Sequence, residues 1–503
     1  MPVDLSDDLL LAVQRPARYA GGEINTTPKD HRAVRASIAL AYPDVYDIGM
    51  DYQGFHILYP MVNAHPGFAA ERVFCPWPDM AAQLRRRGVP LHGLETRTPL
   101  RDFSLLGFTL QYELSYTNIL EMLDLARIPL LAAERRDVFP VVLAGGPGAL
   151  QPEPLAPFID AFVIGEAEEV LMRLLAIAAR HREAGTRDRE AVLLEMAQVP
   201  GVYVPRFYAP DASGNVIPLR RDVPFPIRRQ IFDITQETWS VRPVVPLMRT
   251  VNDRFMLEIK RGCTRGCRFC QAGMITRPMR ERTPGQIIEL TGEGLANTGH
   301  KEVSLMSLSS ADYSALAPLM REINARHERD HVSIALSSIR VNAFDVQFAD
   351  EIKRVKKTGF TFAPEAGTER LRSVINKELS DERFLNVVAH VFARGWQRLK
   401  FYFMCSLPTE TDEDLRGIID ITGRSVAIGR RFWGGNFEIA VSVSPFIAKA
   451  HTPFQWEGLL PREEITRRWR LVADGLRGRN VRVRPHSPDQ AWVEGVLARG
   501  GRE

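Results

Sequence analysis

Apolar runs and amphipathic segments alternate regularly along residues 251–460. The apolar runs that predict strands are 255–259, 303–308, 331–336, 359–363, 399–404 and 437–443. The segments that predict helices are 284–298, 313–327, 343–357, 369–375 with 381–394, and 412–428. Strands that alternate with helices predict parallel βα units. Six such units suit an open, six-stranded partial (β/α) barrel better than a closed barrel of eight units.

Residues 1–200 show a second α/β pattern. The predicted strands are 36–41, 105–110, 139–144 and 161–164, and the predicted helices are 51–62, 77–88, 116–126 and a segment that ends near 180. Gly145 and Gly146 follow the third of these strands, and Gly165 follows the fourth. The pattern predicts a doubly wound, Rossmann-like domain, and such sheets bind ligands at the C-terminal ends of their strands.

The sequence thus predicts an α/β protein with four parts. Residues 1–200 form the Rossmann-like domain, and residues 201–250 form a connector. The turn-forming residues 212–215 predict a hairpin in this connector, and residues 220–249 are rich in proline and arginine. The barrel occupies residues 251–460, and a basic segment, residues 461–503, follows it.

The composition is that of a globular protein without a membrane span. Of the 503 residues, 45% are apolar and 25% are charged, as in ordinary globular chains. No apolar run reaches the roughly 18 residues of a membrane-spanning helix, and the first residues lack a signal-peptide pattern. We therefore expect a cytoplasmic protein. The net charge of +4 is too small to indicate a partner.

Three of the five cysteines, Cys263, Cys267 and Cys270, lie in one loop with the spacing C-x3-C-x2-C. An odd number of cysteines without a signal peptide argues against disulfides. A structural zinc site normally takes four protein ligands, so zinc would need Cys75 or Cys405 as a distant fourth ligand, and this alternative stays open. Three soft thiolates on a four-iron cluster leave one iron free to bind a small molecule. The loop follows a predicted strand, and the C-terminal ends of barrel strands carry active sites.

The run Gly262-Cys-Thr-Arg-Gly-Cys-Arg-Phe-Cys270 resembles the radical S-adenosylmethionine (SAM) superfamily. The resemblance implies a 4Fe–4S cluster whose open iron chelates the amino and carboxylate groups of SAM. It also implies reductive cleavage of SAM to methionine and a 5′-deoxyadenosyl radical, with an electron donor such as flavodoxin or ferredoxin. Phe269, just before the last cysteine, fits the aromatic residue that is common there in the superfamily.

Four further residues are implied as SAM contacts by the same resemblance. Glu365 lies in Glu365-Ala-Gly-Thr368, which matches the superfamily pattern E-x-G-[ST] after the fourth strand. A carboxylate at a helix N-terminus is the alternative. Ser307 and Ser309 follow the second strand, where the superfamily meets the methionine end of SAM, and a helix N-cap is the alternative there. Arg340 follows the third strand and belongs to the same implied set.

The loop after the fifth strand departs from the superfamily pattern. Relatives usually have G-L-P-T-E-T, whereas this chain has Ser406-Leu-Pro-Thr-Glu-Thr411. The missing glycine is expected to alter the approach of the backbone to adenine. Cys405, which precedes the run, is expected to be a buried and inert cysteine.

The first domain resembles the cobalamin-binding domain of many radical SAM enzymes. The resemblance implies that Gly145, Gly146 and Gly165 let the backbone approach the nucleotide tail of cobalamin. The sequence has no D-x-H-x-x-G, so cobalamin, if bound, would lack a protein histidine ligand from that motif. An empty domain that only docks on the barrel and a domain for another nucleotide-like ligand both stay open. His56 is expected to be a packing histidine.

Almost the whole chain resembles one group, the radical SAM proteins with an N-terminal cobalamin-binding-like domain. The segments that carry this resemblance are 42–50, 144–148, 261–274 and 449–456. Members usually extend beyond the point at which this chain stops, so a truncated product and a shortened relative both stay open. The favoured function is methylation or methylthiolation of an RNA or protein target. A redox-sensing or assembly protein that binds SAM without turnover is the alternative.

Arginines crowd two segments, and they raise the hypothesis of an RNA substrate. Arginines beside an aromatic residue such as Trp469 can neutralise phosphates and stack a base. The alternative is a solvated helix face whose charge is balanced by neighbouring carboxylates. The arginines concerned are Arg467, Arg468, Arg470, Arg477, Arg479, Arg482 and Arg484 after the barrel, and Arg220, Arg221, Arg228 and Arg229 in the connector.

Overall fold

A computed structural model describes residues 2–236, 240–337, 339–344, 350–352, 360–478, 480–484 and 486–503. The chain divides into two compact units, residues 1–253 with 500–503 and residues 254–499. The connector 201–250 therefore belongs to the first unit, and nearly all of the basic segment 461–503 belongs to the second. Among the described residues, no helix is long and apolar enough to cross a membrane.

The first unit is built on a six-stranded sheet with the order β2-β1-β3-β4-β5-β6. Its strands are β1 (Ala36–Tyr42), β2 (Phe68–Phe74), β3 (Leu105–Thr109), β4 (Val141–Gly145), β5 (Ala161–Val163) and β6 (Val202–Tyr203). The first five are parallel, and β6 runs antiparallel to β5. The order 2-1-3-4-5 is the flavodoxin-like form of the doubly wound fold, and its switch point lies between β1 and β3.

Helices accompany this sheet, and a hairpin follows it. The helices are α1 (Asp7–Leu11), α2 (Tyr46–Gly49), α3 (Gln53–Ala64), α4 (Pro78–Arg87), α5 (Tyr116–Leu125), α6 (Glu168–Glu183) and α7 (Arg189–Ala197). The predicted hairpin is present as β7 (Tyr208–Pro210) and β8 (Val216–Pro218), which pair antiparallel. The carboxylate of Asp211 accepts hydrogen bonds from the backbone N–H groups of Ser213 and Asn215, at 2.8 and 2.9 Å, and fixes the turn.

The strand β2 is absent from the sequence prediction, although every residue in it is buried. Glu71 and Arg72 interrupt its apolar pattern, and a charged pair usually indicates a solvated segment. Both charges are compensated inside the fold. Arg72 forms ion pairs with Glu23 at 3.1 Å and with Glu95 at 2.7 Å.

The second unit contains two parallel sheets, whose strand orders are β13-β12-β9 and β14-β15-β16-β17. Their strands are β9 (Phe255–Glu258), β12 (Glu302–Met306), β13 (Ser333–Leu336), β14 (Phe360–Glu365), β15 (Arg398–Cys405), β16 (Glu438–Pro445) and β17 (Val481–Arg484). A short antiparallel pair, β10 (Lys260–Arg261) and β11 (Arg280–Glu281), flanks the cysteine loop. The six predicted strands are present, and β17 is an addition from the basic segment.

The helices of the second unit lie between these strands. They are α8 (Gln271–Ile275), α9 (Pro284–Thr298), α10 (Leu316–His327), α11 (Glu369–Val374), α12 (Asp381–Ala393), α13 (Asp412–Trp433), α14 (Arg462–Gly475) and α15 (Pro488–Leu497). The predicted helix 343–357 lies largely outside the described residues. Thr283 and Thr411 begin α9 and α13 with capping boxes, in which each threonine accepts from the backbone N–H three residues later. The basic segment is thus a βα continuation of the barrel rather than a separate tail.

Candidate functional site

The cysteine loop lies between β10 and α8. Cys263, Cys267 and Cys270 are free thiols and partly exposed. Gly262 begins the loop at φ +90°, where a Cβ would lie 2.7 Å from the carbonyl oxygen of Thr276. Only glycine fits this tight approach. Cys75 and Cys405 are free but buried, as expected for cysteines outside a site.

The C-terminal end of α11 holds the middle of this loop. The backbone N–H of Arg268 donates to the carbonyl oxygen of Ile375 at 3.0 Å. The side-chain amide of Asn376 donates to the carbonyl oxygen of Gly266 at 2.8 Å. Phe269 packs against a buried apolar group. We call this group the loop-support cluster, and its buried members are Ala366, Leu371, Ile375, Leu407, Phe446, Ala448 and Phe454. In this structure Phe269 therefore anchors the loop.

The segment 449–456 supports the other side of the loop. Gln271 donates its side-chain amide to the carbonyl oxygen of Ala450 at 3.2 Å. The backbone N–H of Phe454 donates to the carbonyl oxygen of Arg268 at 3.3 Å. Residues 449–456, which carry part of the family resemblance, lie far from the cysteines in the sequence. These contacts explain structurally why the two segments belong to one site region.

Two arginines lie beside the thiols. Arg340 donates from Nη1 to the sulfur of Cys267 at 3.8 Å. Arg265 donates a hydrogen bond to its ion-pair partner Asp312, and this hydrogen bond raises the pKa of Arg265. The charges of Cys263 and Cys267 raise it further. Burial raises the pKa of Cys270. A bound metal or neighbouring cations would be needed to stabilise the thiolate form of Cys270.

Glu365 ends β14 close to the thiols. It adopts φ +71°, a conformation that costs a non-glycine residue of the order of 1–3 kcal/mol. Its carboxylate accepts from Nζ of Lys377 at 2.8 Å, and it contributes to the raised pKa of Cys270. The N-cap of α11 is Thr368, so Glu365 is not the capping carboxylate of that helix. Strained backbone of this kind is concentrated at functional sites.

Ser307 and Ser309 join the loop after β12 to the cysteine loop. The backbone N–H of Ser309 donates to Oγ of Ser307 at 3.1 Å, and Oγ of Ser309 donates to Asp312 at 2.5 Å. Asp312 accepts in turn from Nε of Arg265 at 2.8 Å. Ser309 makes no side-chain capping bond to the short helix that follows. The structure therefore brings the cysteines, Arg340, Glu365 and this serine loop together at the C-terminal ends of their strands.

Two of the three glycines predicted as cofactor contacts in the first unit lie in close approaches within the chain. Gly146 adopts φ +95°, and a Cβ there would lie 2.8 Å from the side-chain amide of Gln111. Gly165 adopts φ +105°, and a Cβ there would lie 2.4 Å from the carbonyl oxygen of Gln230. The connector forms a parallel bridge with Gly165. Gly145 ends β4 without such a constraint. The role of these three glycines as cofactor contacts stays a prediction.

A cavity of about 460 Å³ lies beside α3 in the first unit. Its walls include His56, Tyr59, Arg72 and residues 240–244, and none of the three glycines. No local motif indicates this cavity, because residues far apart in the chain form it.

Glu410 is a site residue that the sequence reasoning missed. It lies in the loop after β15, where Ser406 stands in place of the relatives' glycine and adopts φ +68°. The backbone N–H of Ser406 donates to Oε2 of Glu410 at 2.6 Å, and Arg468 of α14 donates to the same oxygen at 3.2 Å. Burial raises the pKa of Glu410 to about 7. The basic segment thus holds a loop at the candidate site.

The titration of Glu410 should lower the free energy of unfolding as the pH rises from 5 to 8. The pKa of its carboxyl, about 7 when folded, exceeds the unfolded value of 4.5. The stabilising contribution of the group is therefore present below the unfolded pKa and is lost as the pH rises through about 7, a change of up to about 3 kcal/mol for a shift of this size. Urea unfolding at several pH values measures it.

Two variants separate this effect from other titrations. Glu410→Gln should remove most of the decline. Glu464→Gln, which changes a second partner of Arg468, should retain it, because hydrogen bonds from Arg467 and Arg468 lower the pKa of Glu464 to about 2. Equal pH profiles for wild type and Glu410→Gln would contradict the prediction.

The comparisons with known proteins agree with this fold. Residues 257–421 match the family model described as the radical SAM superfamily, and residues 54–205 match the one described as radical SAM proteins, N-terminal. Each of the two units therefore matches a family model of radical SAM proteins, and the one in the first unit is specific to their N-terminal part.

Two curated relatives illustrate the range of similarity. The chain is 26% identical to the uncharacterized protein MJ0966 of Methanocaldococcus jannaschii over 470 residues, which cover 92% of this chain and 88% of the relative. It is 23% identical to a tRNA-2-methylthio-N(6)-dimethylallyladenosine synthase of Desulforamulus reducens, over 37% of this chain and 43% of that protein.

Two solved structures share the fold. One is the radical SAM methyltransferase TsrM of Kitasatospora setae with cobalamin and a [4Fe-4S] cluster bound, at a TM-score of 0.55 and 16% identity over 83% of this chain and 76% of that chain. The other is the cobalamin-dependent radical SAM enzyme OxsB with aqua-cobalamin bound, at a TM-score of 0.54 and 13% identity over 88% of this chain and 63% of that chain.

Proposed function

We propose that this chain holds a 4Fe–4S cluster on Cys263, Cys267 and Cys270, binds SAM beside it, and cleaves SAM reductively to modify an RNA or protein target. The observation that carries the proposal is the convergence of three partly exposed thiols with Arg340 and Glu365 at one edge of the barrel strands. When bound, the cluster supplies one electron and an iron with an open coordination position.

The residues present fit such a cluster. Among the described residues, no group of three or more His, Cys, Asp or Glu side chains is arranged around one metal ion. A four-iron cluster differs from a single ion, because each thiolate binds its own iron at a separate corner. Arg340 donates to one sulfur, and such hydrogen bonds tune clusters of this kind. Three cysteines and no fourth nearby leave one corner for SAM.

Glu365 is the residue we propose for the amino or ribose groups of SAM. Lys377 fixes its carboxylate in place, and the strained backbone orients it toward the cysteine loop. Ser307, Ser309 and Arg340 are proposed for the methionine end. Their hydrogen bonds to one another, to Asp312 or to the loop sulfur pre-organise that region before a ligand arrives.

Methylation or methylthiolation is the proposed outcome. The relative from Desulforamulus reducens is by name a methylthio-tRNA synthase, and the two solved structures are by title cobalamin-containing radical SAM enzymes. We propose that residues 1–200 bind cobalamin at the strand ends near Gly145 and Gly146, without a histidine ligand from the missing motif. Retention of cobalamin through gel filtration, with a spectrum free of imidazole nitrogen coupling, is the expected result.

The test of the proposed function is SAM cleavage. Protein reconstituted anaerobically with iron and sulfide, then reduced with dithionite or with a flavodoxin or ferredoxin system, should release 5′-deoxyadenosine or S-adenosylhomocysteine, which liquid chromatography with mass spectrometry detects. Both products are included because methyl transfer consumes SAM by a second route. Bound SAM with neither product formed would favour the alternative, a sensing or assembly protein.

A further inference from the structure

One face of the sheet strands β15–β17 carries exposed, positively charged side chains. Along β15 the odd-numbered side chains from 399 to 405 are buried, and the ring of Phe384 in α12 packs 5.1 Å from that of Phe401. The alternate side chains Lys400 and Tyr402 are exposed on the opposite face. The helices therefore cover one side of β15, and the other side is accessible in the whole chain.

The register extends this face to β17. Lys400 lies opposite Ala440, and Ala440 lies opposite Arg482. In the next row, Tyr402 lies opposite Ser442, which lies opposite Arg484. Arg482 and Arg484 are exposed. With strands about 4.8 Å apart, each pair spans about 10 Å, and the two rows are about 7 Å apart. We call Lys400, Tyr402, Arg482 and Arg484 the cationic strand face.

The cations of this face have no carboxylate partner among the residues that the structure describes. Glu438 faces the same side one row away, where its register partner is Arg398. The nearest carboxylate at the opposite end of β14, Glu365, is paired with Lys377. Three exposed, uncompensated positive charges on adjacent rows attract anions.

The other predicted basic positions behave differently. Arg467 pairs with Asp412 and Glu464, and Arg468 pairs with Glu410 and Glu464. Trp469 donates its indole N–H to the carbonyl oxygen of Val443 at 3.1 Å and serves the fold. On α14 the structure thus favours the balanced helix face over an RNA surface, and Arg479 lies outside the described residues. Arg482 and Arg484 of β17 differ from Arg467 and Arg468 in having no ion pair among the described residues.

The cationic strand face also lies next to the candidate site. Met404, two residues beyond Tyr402 on β15, packs against the loop-support cluster together with Phe269. Two residues of a strand span about 7 Å, so Tyr402 lies roughly that far from Met404. A substrate bound on this face would reach the edge of the sheet where the proposed SAM contacts converge.

We propose that the cationic strand face binds the phosphates of an RNA substrate, with Tyr402 stacking on a base. This inference rests on the proposed function and selects RNA from its two target classes. Lysine and arginine neutralise phosphates, and an aromatic ring on which a base stacks, placed among cations, is the arrangement by which single strands are held. Ser442, between Tyr402 and Arg484, adds a hydroxyl for the sugar or phosphate oxygens.

The test measures the affinity of the full chain for a fluorescein-labelled, mixed-sequence single-stranded RNA. Fluorescence anisotropy monitors binding at several salt concentrations. Three phosphate contacts predict that log affinity falls against log salt with a slope of about −2. The variant Arg482→Thr/Arg484→Thr should bind about 25-fold more weakly at 0.1 M salt, with a slope of about −0.7. Tyr402→Leu should bind more weakly with the slope unchanged, because stacking releases no counterions.

Matched variants guard against nonspecific effects. Arg430→Gln/Arg431→Gln removes the same charge from exposed positions at the end of α13 and should bind like wild type. Arg482→Lys/Arg484→Lys should keep the salt slope, which a folding defect would not allow. The proposal is overturned if RNA does not bind at low salt, or if polyglutamate competes as well as RNA. It is also overturned if Arg482→Thr/Arg484→Thr and Arg430→Gln/Arg431→Gln bind RNA with equal affinity. Because the assay needs neither cluster nor SAM, its failure is distinct from a failure of SAM cleavage.

Discussion

Alanine at Cys263, Cys267 and Cys270 together should abolish iron binding. After anaerobic reconstitution, the wild-type chain is expected to hold about four irons and the variant only background iron. Each thiolate binds one corner of the proposed cluster, and no other described cysteine lies in the loop to replace it. Iron analysis and thiolate-to-iron absorption measure the change, and SAM cleavage should fall to background with it.

Cys75→Ala and Cys405→Ala are the controls for that experiment. Both side chains are buried, and burial raises the pKa of each thiol to about 12. Neither thiol is therefore available as a thiolate at neutral pH. Both variants should keep full iron content. Stoichiometric zinc without iron in every preparation, or loss of iron in either control, would refute the assignment of the three loop cysteines.

Arg72→Met should cost about 3–5 kcal/mol of unfolding free energy in the first unit. Arg72 is 1% exposed and lies between Glu23 and Glu95, whose side chains are fully buried. Methionine has a similar length but leaves both carboxylates without a cation. Burial by itself lowers the pKa of Arg72, but Glu95 and Glu23 raise it overall, so the guanidinium stays charged. Urea unfolding followed by circular dichroism measures the loss.

Arg85→Met is the matched control for Arg72. Arg85 also contacts two carboxylates, Glu121 at 2.7 Å and Asp124 at 2.6 Å, but its side chain is 48% exposed. Exposed ion pairs contribute about 0–1 kcal/mol, because water screens the charges. A loss for Arg72→Met no larger than that for Arg85→Met would show that the buried charges do not depend on this arginine.

Sequence periodicity was sufficient for most strands and insufficient where charge is buried or strands are short. The apolar runs of β1, β3 and β15 predict their strands directly, whereas Glu71 and Arg72 conceal β2. Val481–Arg484 alternates in the way a strand does, but its arginines read as a basic tail. The local sequence pattern shows neither the partners that compensate the buried charges of β2 nor the neighbouring strand that pairs with Val481–Arg484.

The candidate site was predictable only where its residues lie in local motifs. The cysteines, Glu365, Ser307 and Ser309 lie in motifs with fixed local spacing, and the structure places them together. Glu410 is 58 residues from Arg468 in the chain, so the environment that raises its pKa could not be read from its neighbours. The motif around Gly165 likewise did not indicate its tight approach to Gln230 of the connector.

The supports of the cysteine loop set an order for its assembly during protein synthesis. Its contact with Asn376 joins residues 110 apart, and its contact with Ala450 joins residues 179 apart. Because domains fold as their chains emerge from the ribosome, the thiols leave the tunnel long before their supports exist. The loop can reach its final shape only when most of the second unit has been made. Any iron bound earlier would meet three cysteines in a segment that still lacks these supports.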